Sequence, residues 1–430
     1  MKINYYYDFG KKLLRPILRS ITGSGVRKTL MLIKKEFPNL IIKNIRSNKK
    51  VFDWTIPPEW NLKSAHISDK YGKKIVDVKN NPLHIVSYSL PFNSEISKKK
   101  LEKKFYYLKK QPSAIPYVTS YYKKRWGFCI TYNQFKNFLK NYKKTDKFKI
   151  FINSHFNNKG YLNYGELLLR GKSKKEILIS TYICHPFMAN NEISGSILAM
   201  CLIDHYKRKK LKYSIRFIFI PETIGSIAYL SRNLSKLKKN VFAGFNLTCV
   251  GDQGGYSCML SKNEDSPSDK ALIAAYKKLK IHKFKIYSFL ERGSDERQYN
   301  SPGIDLPITS IFRSKYREYE EYHTSLDDFK FVTKKGIKGS FDIAKQAINI
   351  LQNNIYPKAN ILCEPQLSKR GIQPKINKKF GYNNFQKCIL DFLQYSDGKK
   401  ILRDIAKIIK TDLKLVKSVY KLLLKKKLIV

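Results

Sequence analysis

From about Tyr164 to Asn353 the chain alternates between near-continuous apolar runs and stretches whose apolar residues recur at helical spacing. No other feature constrains the fold as tightly. Glu176–Tyr182, Ser214–Ile220, Val241–Val250 and Leu306–Phe312 read as strands. Gly195–Tyr206, Gly225–Arg232, Ala271–Leu279 and Lys335–Asn353 read as helices. Strands that are apolar on both faces and separated by helices belong to sheets covered on both sides. The expected fold is α/β: a mostly parallel mixed sheet with helices on both faces. Ligands of such sheets bind beyond the carboxyl ends of the strands.

The flanking regions have a different texture. Residues 1–50 read as helices with a turn at Thr22-Gly23-Ser24-Gly25, a helix to Phe37 and a short strand, Leu40–Ile45. An aromatic, proline-rich stretch, Phe52–Trp60, then opens about a hundred residues of short β-like runs, among them His84–Leu90, Ile130–Tyr132 and Phe148–Ile152. Asn384–Tyr395, Gly398–Lys410 and Asp412–Lys427 read as three helices, and the last residues as the start of a wing strand. The expected division is a discontinuous α/β domain (1–50 and 164–360), an inserted β-rich module (51–163) and a winged-helix-like three-helix domain (375–430).

The formal net charge is +51. Lys is spread along the whole chain and is accompanied by abundant Asn, Ile and Tyr, so the charge reads first as compositional bias. It still draws in anions and makes their binding salt-sensitive. A recognition helix at Asp412–Lys427 would line up Lys414, Lys417, Lys421 and Lys425 but holds no Arg to read guanine, so nucleic acid is not the expected partner. Seven cysteines form no CxxC pair and several sit inside apolar runs, which fits reduced thiols and a cytoplasmic location. No secretory signal and no membrane-spanning segment is expected. A homo-oligomer is left open.

Two strand ends carry candidate chemistry. His185 follows the first apolar strand, in a polar loop with Asn190, Asn191 and Glu192. Imidazole there suits a metal. Glu222 follows the second strand in Ile220-Pro221-Glu222-Thr223-Ile224-Gly225. A carboxylate in so apolar a segment is costly unless it is paired or works as a base or ligand. Residues 291–330 form an acidic island, with nine acidic against six basic residues in a chain that is otherwise strongly basic. That island holds Ser294-Asp295-Glu296-Arg297 and ends at His323, with Arg313 and Arg317 between. It reads as a cation site or a cluster of working carboxylates. Trp126, in Tyr121–Phe128, is a candidate pocket wall contributed by the β-rich module.

These segments, together with Val51–Trp60 and Ala114–Cys129, resemble zinc-dependent aminopeptidases of the M28 type. The likeness is closest to a bacterial aminopeptidase-like family with an inserted β-rich module and a C-terminal winged helix. The resemblance implies zinc ligands at His185 and His323, the base at Glu222 and a ligand position at Thr223. It places the bridging aspartate on Asn190 and a further ligand near Thr248, with Asp252 close behind. Ser294-Asp295 also has a counterpart. Two or three of the expected carboxylate ligands are therefore missing, which argues against a two-metal centre and for one zinc ion, its third ligand coming from Glu222, Asp252 or Asp295.

The implied activity is hydrolysis of an amide bond in a small peptide or an aminoacyl or amidated-sugar substrate, with a link to surface-polysaccharide biosynthesis. Glu222 and Asp295 would be catalytic. Asn190, Asn191, Glu192, Glu296, Arg297, Arg313, Arg317 and Trp126 would contact substrate. The alternatives are a non-catalytic binding protein on a degenerate peptidase fold and a winged-helix nucleic-acid binder.

Overall fold

A computed structural model describes residues 2–14, 17–372 and 384–430. The expected start of the C-terminal domain, residue 375, lies outside them.

The central element is an eight-stranded mixed sheet. Its middle is four parallel strands in the order Tyr213–Ile220, Ser173–Tyr182, Val241–Leu247 and Ile308–Phe312. All eight residues of Tyr213–Ile220 are buried. That burial is why the sequence shows continuous apolar runs here rather than alternation. Antiparallel neighbours flank both sides. Tyr161–Leu169 and Ile41–Arg46 extend one edge, while Ser257–Met259, which carries Lys285–Tyr287 alongside it, extends the other. The four central parallel strands are the part that positions the site, and the edge pair Ser257–Met259 and Lys285–Tyr287 is parallel as well.

Helix Ser194–Tyr206 is buried on nearly every face. It starts so close to the sheet that a Cβ on Gly195 would collide with the Leu247 carbonyl and the Thr181 hydroxyl. Helix Lys334–Asn353 begins at Thr333, whose hydroxyl accepts the Gly336 N–H, and buries Ile337, Phe341, Ala344, Ile348 and Leu351 at 3–4 residue spacing.

A second sheet lies within residues 59–157. It is antiparallel, in the order Lys74–Asp77, Glu59–Ser68, Lys147–Asn157, Phe92–Ser97. The expected strand at His84–Leu90 is absent. A short 3-10 turn, Pro82–His84, stands there, started by the Asn81 side chain accepting the Leu83 N–H. The apolar residues of that stretch fill the core without entering a ladder.

Helices Asn384–Gln394, Leu402–Ile408 and Leu413–Lys425 close a separate core around Phe392, Ile405, Val416, Val419 and Leu423. The chain end pairs back on residues 358–360, with Lys358 and Val430 exchanging both backbone hydrogen bonds. Among the described residues no helix is long and apolar enough to cross a membrane.

Candidate functional site

The four central strands run the same way, so their carboxyl ends open on one side of the sheet. His185 comes three residues after Tyr182, Glu222 two after Ile220, and Thr248 directly after Leu247. A cavity of about 270 Å³ lies there, lined by His185, Glu222, Thr223, Arg297 and His323 from the α/β core. Trp54, Tyr117, Thr119 and Tyr121 form the opposing wall. That wall is fastened to the core beside His323. Tyr117 N–H donates to the His323 carbonyl (2.8 Å), Ser325 N–H donates to the Ile115 carbonyl (2.9 Å), and the Ser325 hydroxyl takes the Ile115 N–H (3.0 Å).

His185 is fixed from behind. Its Nδ1 lies 2.9 Å from Glu192 Oε2, which also accepts the backbone N–H groups of His185 and Cys184. Glu192 Oε1 accepts Arg19 Nε at 2.9 Å, and the same Nε donates to the His185 carbonyl. Arg19 and Glu192 are each 1% exposed. Burial alone would favour neutral His185, but Cys184 and Glu192 outweigh it and hold the imidazole well above the usual histidine value. With Nδ1 turned to Glu192, Nε2 is the nitrogen left for the cavity.

Glu222 faces that nitrogen, with Oε2 3.5 Å from His185 Nε2. Its Oε1 accepts the Ser294 hydroxyl at 2.7 Å. Burial raises its pKa, against the pull of His185 and Ser294. Asp295 sits behind it. There Oδ1 accepts the Thr223 N–H (2.7 Å) and the Ser226 hydroxyl (2.9 Å), while Oδ2 has no hydrogen-bond partner among the described residues. Burial, then repulsion from Glu222, pushes Asp295 up to about 7. The His323 ring centre is 5.3 Å from that of His185, and its other face stacks on Tyr322 at 3.9 Å. Burial, then the positive charges of His185 and Arg317, holds His323 well below the usual histidine value, as the neutral imidazole that binds metals. Thr223 (φ 61°), Cys249 (φ 52°) and His323 (φ 56°) all occupy the left-handed region. Such conformations cost about 1–3 kcal/mol each and persist where the surroundings impose them.

The structure brings His185, Glu222, Thr223, Arg297 and His323 together around the cavity, while the other expected residues are not among those that line it. Asp252 does not fit a metal ligand. Its two oxygens already accept Ser314 Oγ (2.7 Å), Gly254 N (2.8 Å), Asn190 Nδ2 (2.9 Å) and Ser314 N (3.1 Å). Asn190 is spent on Asp252 and Gly251 N, and Asn191 donates to the Tyr182 hydroxyl. Glu192 stands behind His185 with both oxygens taken and is not among the residues that line the cavity. Glu296 accepts Gly293 N, Ser294 N and the Tyr316 hydroxyl, so it shapes the loop that presents Ser294. Arg313 lies over the Tyr256 ring, 3.8 Å from its centre, and Arg317 is exposed. Trp126 packs on Phe92 at 4.6 Å, and the tryptophan that lines the cavity is Trp54.

Several contributing residues were not singled out in the sequence, although Ala114–Cys129 is among the segments that carry the resemblance. Tyr117, Thr119 and Tyr121 line the cavity beside the pairing of residues 115–117 with 323–325. Asp327 accepts the N–H groups of Asn190 and Asn191 from a loop that is remote in sequence.

The residues around Nε2 fit one metal ion. Two donors each about 2.0–2.1 Å from a common centre stand 3.5 Å apart when they subtend roughly 115°, close to tetrahedral. His323, its ring centre 5.3 Å from that of His185, would supply a second, neutral nitrogen. Among the described residues the one group of three donors within 4.8 Å of one another is Cys184, His185 and Glu192, but that side is full. The Glu192 oxygens are taken, and burial pushes the Cys184 thiol up to about 11.

Residues 7–354 match the family described as a domain of unknown function (DUF4910), and residues 354–430 match a winged helix-turn-helix family. A Clostridium acetobutylicum protein named for polysaccharide biosynthesis and an aminopeptidase-like domain is 42% identical over 397 residues, covering 91% of this chain and 88% of that protein. A crystal structure of a Clostridium acetobutylicum protein named as a peptidase superposes with a TM-score of 0.79 at 37% identity, covering 100% of this chain and 96% of that one. A zinc aminopeptidase from Bacillus subtilis follows the same fold, with a TM-score of 0.59 at 15% identity over 81% of this chain and 95% of that one. So does an M28 peptidase precursor from Shewanella amazonensis, with a TM-score of 0.56 at 11% identity over 85% and 96%. In sequence and architecture the chain belongs to the DUF4910 family, here an M28-type aminopeptidase-like α/β core with a winged helix-turn-helix at its C-terminal end.

Proposed function

We propose that the cavity hydrolyses an amide bond of a small substrate with the help of one zinc ion. The observation that carries this reading is that His185, Glu222 and His323 line one cavity, with Glu222 Oε2 3.5 Å from His185 Nε2 and His185 braced by Glu192. A carboxylate behind a histidine is the arrangement that orients metal-binding imidazoles. His185 and His323 would hold the ion, with the Glu222 carboxylate near enough to touch it. Bound there, zinc supplies polarisation of the substrate carbonyl and a lowered pKa for water.

The chain's own residues do the rest. Glu222 accepts a proton from the attacking water and returns it to the leaving nitrogen, so that water and amide become a carboxylic acid and an amine. Its raised pKa suits both directions of transfer, and Ser294 fixes one of its oxygens so that the other faces the cavity. The wall of Trp54, Tyr117 and Tyr121 limits entry of water. The Clostridium acetobutylicum relative's name supports placing the reaction in polysaccharide biosynthesis, with an aminoacylated or amidated sugar among the candidate substrates.

The test is an amidase assay with a panel of N-acyl amino acids, aminoacyl amides and amidated sugars, with and without added zinc. Zinc-dependent turnover that disappears in Glu222→Gln supports the reading. Turnover that is unaffected by Glu222→Gln contradicts it.

A further inference from the structure

The cavity contains a charged group that the hydrolytic chemistry leaves idle. Arg297, on the short helix Glu296–Tyr299, lines it beside Thr223. Its Nη2 donates to Thr223 Oγ1 at 2.6 Å, and its Nε is buried with no acceptor among the described residues. A guanidinium is a planar fork of five donors, and a buried donor without a partner is unfavourable until an acceptor arrives. Thr223 ties down one arm, so the fork is held in place before any ligand binds.

The rest of the lining points the same way. Among the described residues Glu222 is the one carboxylate lining the cavity, and it is already engaged by Ser294 and turned toward His185. None of the others described supplies a second carboxylate to neutralise a substrate ammonium. Arg297, with Arg317 close enough to depress His323, makes the surroundings cationic, and the whole chain carries +51. Long-range and local fields both favour an anion.

We propose that Arg297 recognises a carboxylate of the substrate, so that the site takes an anionic N-acyl amino compound and not a peptide that presents a free α-ammonium. The identity of the bond cleaved rests on the hydrolytic reading, while recognition of the carboxylate is a binding property and stands apart from it. Arg297 pairs with the carboxylate through the N–H groups that Thr223 leaves free, and Trp54, Tyr117 and Tyr121 cover the apolar body.

The experiment is calorimetric titration of the full chain with N-acetyl-L-alanine, its C-terminal amide and L-alanine amide. The first should bind at least about tenfold tighter than the second, since a charged hydrogen-bonded pair is lost in the amide. L-alanine amide should bind most weakly. Arg297→Met should bring the first down to the level of the second, and Arg297→Lys should restore part of the difference, with thermal melts confirming that both variants fold. Equal affinities, a preference for L-alanine amide, binding of none of the three, or discrimination that survives Arg297→Met would each overturn the proposal. Discrimination without cleavage of any amide would leave the carboxylate site standing and remove the hydrolytic reading instead.

Discussion

Glu192 grips His185 through ring and main chain at once. Its Oε2 lies 2.9 Å from Nδ1 and accepts the His185 N–H, while Oε1 holds the buried Arg19. Glu192→Gln should therefore do two things. Loss of the orienting charge should weaken zinc binding by about 10–100-fold, read by competition with a chelator. Leaving Arg19 uncompensated should cost about 3–5 kcal/mol of stability, read by urea unfolding.

A second buried ion group lies far from the cavity. Arg216 bridges Glu176, with Nη2 to Oε1 at 2.7 Å, and Glu166 across three adjacent strands, and its side chain is 2% exposed. Arg216→Ala leaves buried Glu176 without a cation and Glu166 with the partly exposed Lys43 at 3.4 Å, and should destabilise the fold by about 3–5 kcal/mol in urea.

Trp54 and Trp126 separate a pocket wall from a packing residue. Trp54→Ala should raise the KM for a cleaved amide by roughly two- to tenfold, the effect of losing about 0.5–1.5 kcal/mol of aromatic contact, with little change in melting temperature. Trp126→Ala should lower the melting temperature and leave KM unchanged.

Asp327 makes stability depend on pH. Burial pushes its carboxyl from an ordinary 3.8 up to about 7 in the fold, despite the N–H groups of Asn190 and Asn191 that it accepts. The folded chain then holds this proton more tightly than the unfolded chain. The contribution is full below pH 3.8 and is lost as pH rises toward 7. The stability difference between the wild type and Asp327→Asn should accordingly shift against the wild type across that window. A difference that is flat with pH would contradict the assignment.

Much of this was legible in the sequence. The core strands and helices could be read because burial on both faces leaves continuous apolar runs, and His185 and Glu222 because polar residues directly after such runs stand at strand ends. What residue type alone does not reveal is whether a polar group is free. Asp252, Glu192 and Glu296 have the right chemistry for ligands, but the fold spends their oxygens on backbone, hydroxyl, amide and guanidinium donors. Tyr117 stands in the wall through pairing between residues 115–117 and 323–325, about two hundred positions apart. No local pattern encodes such a contact, and the sequence points to Trp126 where the fold places Trp54.

The most direct test of the account is the metal content of the purified chain after dialysis against zinc, compared with His185→Ala and His323→Ala. The expected result is about one zinc per wild-type chain and loss of it in both variants, each still folded. A wild-type chain that binds no zinc, or variants that retain it in full, would contradict the metal site and with it the hydrolytic reading.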